Sequence, residues 1–175
     1  MLNKVIWLTG LSGSGKTTIA ENLKNKLRDS LSIIILDGDE IRKGLNKDLG
    51  FSFEDRTENV RRIAEIAKFL MDKNFMVIVA VISPRKSQRE LAKNIIGEDN
   101  FLEVFVDAPL RICKERDPKG LYKAVERGEI KNFTGITDRY EIPSPNHSFW
   151  LHTEFRCIPS CVESLIKEIK RKFET

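Results

Sequence analysis

The chain has 175 residues, of which 41% are hydrophobic, and a formal net charge of +4 at pH 7. This length falls within the usual range of one domain, and the apolar content suffices for a core that covers both faces of a sheet. The positive excess is small and dispersed, so it favours an anionic ligand and gives no argument for nucleic-acid binding. We therefore expect a single domain over residues 1–175.

Three cysteines occur, Cys113, Cys157 and Cys161, in a chain without a hydrophobic leader. An odd number in that context argues against a disulfide framework and predicts packing roles in a reducing cytoplasm. The longest apolar run, residues 75–82, has about half the length that a membrane span needs. No membrane association is expected.

Apolar runs of strand length alternate with stretches of helical periodicity, which is the pattern of a parallel sheet with crossover helices. Five strands are predicted, at residues 5–8, 32–36, 75–82, 101–106 and 149–151. Capping signals place helix starts at Ser52, Ser87 and Ser160. The expected fold class is three-layered α/β, with helices on both faces of a five-stranded parallel sheet.

Residues 117–145 form a polar segment before the last predicted strand. They are rich in turn residues, namely Pro118, Gly120, Gly128, Gly135, Pro143 and Pro145. A long segment of this composition inside a compact domain is typical of a mobile lid over a binding site.

The segment between the first predicted strand and helix matches G-x-x-x-x-G-K-[ST], a phosphate-binding loop. Its residues are Gly10, Leu11, Ser12, Gly13, Ser14, Gly15, Lys16 and Thr17. Glycines let backbone N–H groups converge on phosphate oxygens, and the helix start adds a favourable dipole. Lys16 would contact the β- and γ-phosphates of ATP, and the Thr17 hydroxyl would bind Mg²⁺. A merely glycine-rich turn would leave the Lys-Thr pair unexplained.

Other classes of phosphate-loop protein lack their marks in this chain. Asn46-Lys47-Asp48 has the wrong spacing for the base-reading motif of a GTPase, and the third predicted strand ends at Ser83 rather than at the acid of a motor ATPase. Asp37 and Asp39 instead follow the second strand, at the edge of a parallel sheet where ligands bind. One of them can accept a hydroxyl proton or hold a metal, although a simple turn is the alternative.

Basic and aromatic residues follow these acids. They are Arg42, Lys43, Lys47, Phe51, Phe53, Arg56, Arg61 and Arg62. Arginine forks suit phosphate or sulfate oxygens, and an exposed phenylalanine can stack on a purine, so the pattern favours a pocket for an anionic, aromatic acceptor. A charged amphipathic helix would explain Arg61 and Arg62 but not Phe51.

Several long motifs together resemble the adenylylsulfate kinase family. They cover residues 7–18, 36–51, 54–62, 82–84, 103–107, 116–122 and 128–136, in the family's order. The resemblance extends from about residue 5 to residue 145. It implies a phosphate-loop kinase that transfers the γ-phosphate of ATP, with Mg²⁺, to the 3′-hydroxyl of adenylyl sulfate, and a homodimer.

The resemblance also implies roles for individual residues. Lys16 and Asp39 would be catalytic, with Asp39 deprotonating the acceptor or organising Mg²⁺ beside Thr17. Ser83 would be a phosphoserine intermediate or a milder acceptor contact, since in-line transfer needs no covalent step. Thr18 and Arg116 would join the loop in binding ATP.

The adenylyl sulfate contacts implied by the resemblance come from the predicted lid and from segments that precede it in the chain. They are Asp39, Arg42, Phe51, Arg56, Asn59, Ile82, Ser83, Lys119, Lys131 and Phe133. Phe51 and Phe133 would sandwich the adenine, while Lys119 and Lys131 would close over the phosphates. We expect Phe133 to have little core to join, because the lid around it is polar and rich in glycine.

Two other functions stay open. Another small phosphate-loop kinase, acting on a nucleoside monophosphate, a sugar acid or an antibiotic hydroxyl, would share the loop and the lid. It gives no reason for Phe51 and Phe133 to occur with Arg42, Arg56 and Asn59. A nucleotide-binding regulatory module without turnover is the third, although such a module has no need of the acid at position 39.

Overall fold

A computed structural model of the chain describes residues 3–173. Five parallel strands form one sheet in the order β2-β3-β1-β4-β5. The strands are β1 (Val5–Thr9), β2 (Ile33–Asp37), β3 (Met76–Ala80), β4 (Phe101–Asp107) and β5 (Phe149–His152). The expected α/β class is confirmed, and every strand lies within two residues of its predicted bounds.

Helices connect the strands and cover the sheet. They are α1 (Lys16–Leu27), α2 (Gly38–Lys43), α3 (Phe53–Asp72), α4 (Lys86–Ile96), α5 (Leu110–Arg116), α6 (Leu121–Glu126) and α7 (Ile158–Phe173), with a 3₁₀ turn at Glu98–Asn100. Within residues 3–173, no helix combines the length and the apolarity needed to cross a bilayer.

Both faces of the sheet are buried, because successive side chains of a strand point to opposite sides. Ile6 and Leu8 of β1 pack with α1 and α7 on one face. Val5 and Trp7 pack with α3 and α4 on the other. All four side chains are fully buried, which explains why the strands read as continuous apolar runs.

Helix starts were predicted with mixed success. The Ser52 side chain accepts the N–H of Asp55 at 3.0 Å, so the cap of α3 is confirmed. The predicted starts at Ser87 and Ser160 are wrong, because α4 and α7 each begin before those serines. In α4 the Gln88 side chain accepts the N–H of Arg85 at 3.3 Å, so the helix begins directly after Arg85, before Ser87.

One end of the predicted lid is tied to the body of the protein. The Tyr140 hydroxyl lies 2.8 Å from Thr9 Oγ1, and the N–H of Glu141 donates to the Pro84 carbonyl at 2.8 Å. The stretch before it contains α6, a helix of only six residues that periodicity did not reveal. Lid motion is therefore expected only ahead of Tyr140, where it stays a prediction.

Helix α7 covers the sheet through Leu165, which is fully buried. Replacing Leu165 with alanine removes buried apolar groups and leaves a cavity, so we expect the free energy of unfolding to fall by about 2–5 kcal/mol. Chemical denaturation followed by circular dichroism measures this loss. The matched control is Lys167→Ala on the exposed side of α7, expected within about 0.5 kcal/mol of wild type. Equal losses in both variants would contradict this packing.

Candidate active site

The carboxyl ends of the strands open into one cleft with a volume of about 1010 Å³. Loops from several strands meet at this edge, which is where open parallel sheets bind ligands. Its lining includes the sequence-predicted residues Ser12, Gly13, Gly15, Lys16, Thr17, Thr18, Asp39, Arg42, Phe51, Arg56, Asn59, Ile82, Ser83, Arg116, Lys119, Lys131 and Phe133. Gly10, Leu11 and Ser14 belong to the same loop but lie outside the lining.

The loop before α1 needs glycine where it passes close to neighbouring backbone. A Cβ at Gly10 would lie 2.5 Å from the Val106 carbonyl oxygen, and a Cβ at Gly13 would lie 2.8 Å from the Cys113 carbonyl oxygen. The Ser14 hydroxyl is buried and has no hydrogen-bond partner among residues 3–173. Buried polar groups are normally satisfied, so this hydroxyl fits a loop shaped around a polar ligand.

Lys16 folds back over the loop. Its Nζ donates to the carbonyl oxygens of Gly10 at 2.9 Å and Leu11 at 2.7 Å. Burial lowers the pKa of Lys16 to about 8, the charge of Lys119 adds to this effect, and Asp37 opposes it. A phosphate bound at this position would favour the charged form of Lys16 again.

Asp37 reaches the phosphate loop although β3 lies between β2 and β1. Its Oδ2 accepts the Thr17 hydroxyl at 2.7 Å, and its Oδ1 accepts the backbone N–H of Asp39 at 2.8 Å. The Asp39 carboxylate instead pairs with Lys119 of the lid. The geometry therefore favours Asp37 over Asp39 as the partner of Thr17 in holding a metal.

Mg²⁺ fits the oxygen donors at this point. It prefers hard oxygen ligands and is usually held by one or two protein groups together with substrate phosphates. The Thr17 hydroxyl and the Asp37 carboxylate are donors of that type, 2.7 Å apart. Residues 3–173 contain no cluster of three or more His, Cys, Asp or Glu that could hold a metal.

Two guanidinium groups lie over the ring of Phe51, near the start of α3. The central carbon of Arg42 is 4.6 Å from the centroid of the ring, and that of Arg56 is 5.4 Å from it. Arg42 is held by the carbonyl oxygens of Leu49 and Gly50. The Phe51 side chain is 57% exposed, so part of its surface is available to a flat ligand. Burial lowers the pKa of both arginines, and an anionic ligand would offset that cost.

Asn59 is fixed from behind by Asn46. The Asn46 side-chain amide donates to Asn59 Oδ1 at 3.0 Å, and both residues are buried. Because this oxygen is already engaged, the amide group of Asn59 is the part left to donate to a ligand in the cleft. Asn46, which has no role in base reading, thus supports a predicted acceptor residue.

Phe133 differs from the expectation that it has no core to join. Its side chain is only 9% exposed and packs edge-on against Tyr122, with ring centroids 5.0 Å apart. The Tyr122 hydroxyl donates to the Ser12 carbonyl at 2.9 Å, so this aromatic pair links the lid to the phosphate loop. Phe133 also lines the cleft, and its stacking on an adenine stays a prediction. Lys131 is exposed.

Ser83 is buried, and its backbone is left-handed with φ of 38°. Its hydroxyl accepts the indole N–H of Trp7 at 3.1 Å. A phosphoryl group on this oxygen would have to break that bond inside a buried site. The arrangement therefore favours the milder acceptor-contact role of Ser83 over the phosphoserine role. Ile82, which precedes it, is partly buried at the cleft wall.

Arg116 joins the phosphate loop to the segment that follows β5, at another side of the cleft. Its guanidinium donates to the carbonyl oxygens of Ser14 at 3.3 Å and Thr153 at 2.7 Å. The Thr153 hydroxyl also donates to the Ser14 carbonyl, at 2.8 Å. Arg156 and Cys157 complete this wall. Cys157 is an exposed free thiol, so the packing role expected for it is wrong, whereas Cys113 and Cys161 are buried.

Sequence reasoning missed four residues that shape the site, namely Asn46, Arg89, Tyr122 and Thr153. Each acts on a backbone group or on another side chain rather than on a ligand, so none was singled out, although Asn46 and Tyr122 lie within motifs of the family resemblance. Asp37 was visible in the sequence, because both it and Asp39 follow the apolar run of the second predicted strand. The hydrogen bond to Thr17 is what distinguishes the two acids.

Comparison with known proteins identifies the family of the chain. The adenylylsulphate kinase family matches residues 2–148. An adenylyl-sulfate kinase of Bacteroides thetaiotaomicron is 49% identical over 171 residues, which is 97% of this chain and 85% of that protein. One of Paraburkholderia xenovorans is 55% identical over 140 residues, or 79% of this chain and 78% of that protein.

A solved structure is similar over nearly the whole chain. It is the Mycobacterium tuberculosis APS kinase in complex with AMPPNP and APS, which matches with a TM-score of 0.91 and 43% identity. The match covers 95% of this chain and 97% of that one. The motifs, the fold and these relatives agree, and the chain belongs to the adenylylsulphate kinase family.

Proposed function

We propose that the protein transfers the γ-phosphate of ATP to the 3′-hydroxyl of adenylyl sulfate, forming 3′-phosphoadenylyl sulfate. One observation carries the proposal: the phosphate loop and the arginine-flanked Phe51 line the same cleft, together with Asp37 and Asp39. Family membership supports it, and the M. tuberculosis relative was solved with both AMPPNP and APS. Another small phosphate-loop kinase would give no reason for Phe51 and Phe133 to line the cleft together with Arg42, Arg56 and Asn59.

The phosphate loop binds the triphosphate of ATP through its backbone N–H groups and the dipole of α1. Lys16 stabilises the charge that spreads over the γ-phosphoryl oxygens in the transition state. Thr17 and Asp37 are the residues that would hold a Mg²⁺ ion supplied with ATP, and its charge would help to neutralise the phosphates.

We assign to Asp39 the role of accepting the proton of the 3′-hydroxyl. Asp37 holds the backbone N–H of Asp39, which fixes the start of α2 beside the phosphate loop. The Asp39 carboxylate is exposed and paired with Lys119. Phosphates entering the cleft would attract Lys119 and leave this carboxylate to the acceptor hydroxyl.

Adenylyl sulfate binds on the Phe51 side. The adenine stacks on Phe51, the forks of Arg42 and Arg56 bind phosphate and sulfate oxygens, and the Asn59 amide donates a further hydrogen bond. Phe133 closes from the lid. Arg56 also donates to the Asn132 carbonyl at 2.8 Å, so the acceptor site and the lid share a contact.

Turnover with different acceptors tests the function. An assay of ADP release would compare adenylyl sulfate, AMP and gluconate at equal concentration. We expect turnover with adenylyl sulfate alone, since AMP lacks the sulfate and gluconate lacks the purine. Turnover with AMP or gluconate but not with adenylyl sulfate would overturn the proposal. Binding of ATP with no turnover at all would indicate a regulatory module.

Replacing the two acids separates their roles. Asp39→Asn removes the proposed base, so we expect kcat to fall by about 10²-fold or more with the KM for ATP little changed. Asp37→Asn keeps an acceptor for Thr17 but loses the charge, so it should raise the Mg²⁺ concentration needed for half-maximal rate. Both are read from steady-state kinetics at varied Mg²⁺. Near-normal kcat in Asp39→Asn would refute the base role.

The depressed pKa of Lys16 predicts a pH dependence of nucleotide binding. Below about pH 8 the free enzyme already carries the charge on Lys16, whereas above its pKa of about 8 a proton must be taken up when phosphates bind. The affinity for MgAMPPNP should therefore fall as the pH rises from about 8, by up to about tenfold per pH unit.

Isothermal titration calorimetry in buffers of different ionisation enthalpy measures both the affinity and the proton uptake. Lys16→Met is the control, since it should bind more weakly but without this pH dependence. A wild-type affinity that is constant between about pH 7.5 and pH 9.5 would contradict the assignment.

Phe51→Ala should weaken acceptor binding without affecting stability, because the ring is mostly exposed. Loss of a base-stacking ring predicts a rise of about tenfold or more in the KM for adenylyl sulfate, at an unchanged KM for ATP. The matched control is Phe69→Ala, which removes a different exposed ring, within α3. An unchanged KM for adenylyl sulfate would exclude Phe51 from the site.

A cytoplasmic homodimer is proposed on the resemblance to the family. Exposed apolar side chains such as Leu45 and Phe53 provide surface that a second copy could cover. Light scattering of the purified protein should give the mass of two chains, and a monomer mass would refute the proposal.

A further inference from the structure

The buried residue Arg89 of α4 carries a charge that the chemistry above does not use. Its side chain is 3% exposed and it is not part of the cleft lining. A buried guanidinium is costly unless each of its edges finds a partner. The positions of its partners therefore show which parts of the fold it holds together.

Arg89 bonds to three separate segments. Its Nε donates to the Glu103 carboxylate of β4 at 2.9 Å, and its two terminal nitrogens donate to the carbonyl oxygens of Ser83 at 3.0 Å and Glu141 at 2.8 Å. Burial raises the pKa of Glu103 while Arg89 opposes that rise. The carboxylate thus provides the counter-charge, and the two carbonyls are the groups being positioned.

Ser83 belongs to a loop over residues 82–84 that forms part of the cleft wall, here called the acceptor loop. Its left-handed backbone is rare for a residue other than glycine and persists only where neighbouring groups impose it. Trp7 bonds the Ser83 hydroxyl at 3.1 Å and Arg89 bonds its carbonyl. The Thr9 hydroxyl donates to the Ile82 carbonyl at 2.5 Å.

Glu141 is the point where the lid returns to the body. Its N–H donates to Pro84 of the acceptor loop, while its carbonyl accepts Arg89. The neighbouring Tyr140 ring lies 5.9 Å from the Arg89 guanidinium, and its hydroxyl is 2.8 Å from that of Thr9. The base of the lid and the acceptor loop are therefore joined through Arg89 on the side hidden from the cleft.

We infer that Arg89 is a positioning residue for the acceptor: by holding Ser83 and Glu141 together, it sets the shape of the acceptor loop and the anchor of the lid. The inference rests on the proposed function, because it takes adenylyl sulfate as the acceptor. A planar fork bonds in three directions at once, which a lysine ammonium on a flexible stem cannot reproduce here. The effect should fall on the acceptor, since none of the bonds of Arg89 reaches the phosphate loop.

Steady-state kinetics of Arg89→Met, Arg89→Lys and Glu103→Gln tests the inference. We expect Arg89→Met to raise the KM for adenylyl sulfate by about tenfold or more, with the KM for ATP within about twofold of wild type. Arg89→Lys should lie between Arg89→Met and wild type. Glu103→Gln should stay near wild type, because its amide oxygen can still accept Nε. The control is Arg61→Met, which removes an exposed arginine paired with Glu58 and Glu65.

Arg89→Met leaves the partly buried Glu103 charge without its partner and could fail to fold. The double variant Arg89→Met/Glu103→Gln removes that charge and should show the same selective rise in KM. Hydrogen exchange gives a readout independent of activity, and we expect faster exchange at the Glu141 amide in the double variant than in Glu103→Gln.

Equal rises in both KM values, or unchanged KM values with a lowered melting temperature, would mean that Arg89 only stabilises the fold. Unaltered exchange at Glu141 would also overturn the inference. Failure of the proposed function has a different signature, because the wild-type enzyme would then give no turnover with adenylyl sulfate in the same experiment.

Discussion

The hydrogen bond between the Thr17 hydroxyl and the Asp37 carboxylate is the contact on which the site depends. It joins the start of α1 to the end of β2 across the intervening strand β3. The same carboxylate accepts the N–H of Asp39, so one buried side chain positions both the oxygens proposed to hold the metal and the proposed base. Parallel strands make this possible, because all their carboxyl ends meet at one edge.

The predicted lid has two parts that make different contacts. Its first part packs aromatic rings beside the phosphate loop, through Tyr122 and Phe133. Its second part, at Tyr140 and Glu141, is bonded to β1 and to the acceptor loop. The predicted closure of the lid would therefore bend the chain between these parts. The phosphate loop thus contacts the first part of the predicted lid, and the acceptor loop contacts its second part.

Much of the fold was predictable, because a sheet buried on both faces leaves uninterrupted apolar runs that mark its strands. The phosphate loop was equally clear, since backbone crowding at Gly10 and Gly13 demands glycine. Short helices such as α2 and α6 escaped, because six residues carry too little periodicity. The expectation that Phe133 has little core to join was wrong, because its packing partner Tyr122 lies in a polar segment where no core was predicted. Arg89 gave no signal, because two of its three partners are backbone carbonyls, which no side-chain pattern marks.

The most direct test of the account is a crystal structure with AMPPNP, Mg²⁺ and adenylyl sulfate bound together. We expect the 3′-hydroxyl within about 3 Å of the Asp39 carboxylate, in line with the γ-phosphate, and the adenine of the acceptor against Phe51. Adenylyl sulfate bound away from residues 39–59, with AMPPNP still in the phosphate loop, would contradict it.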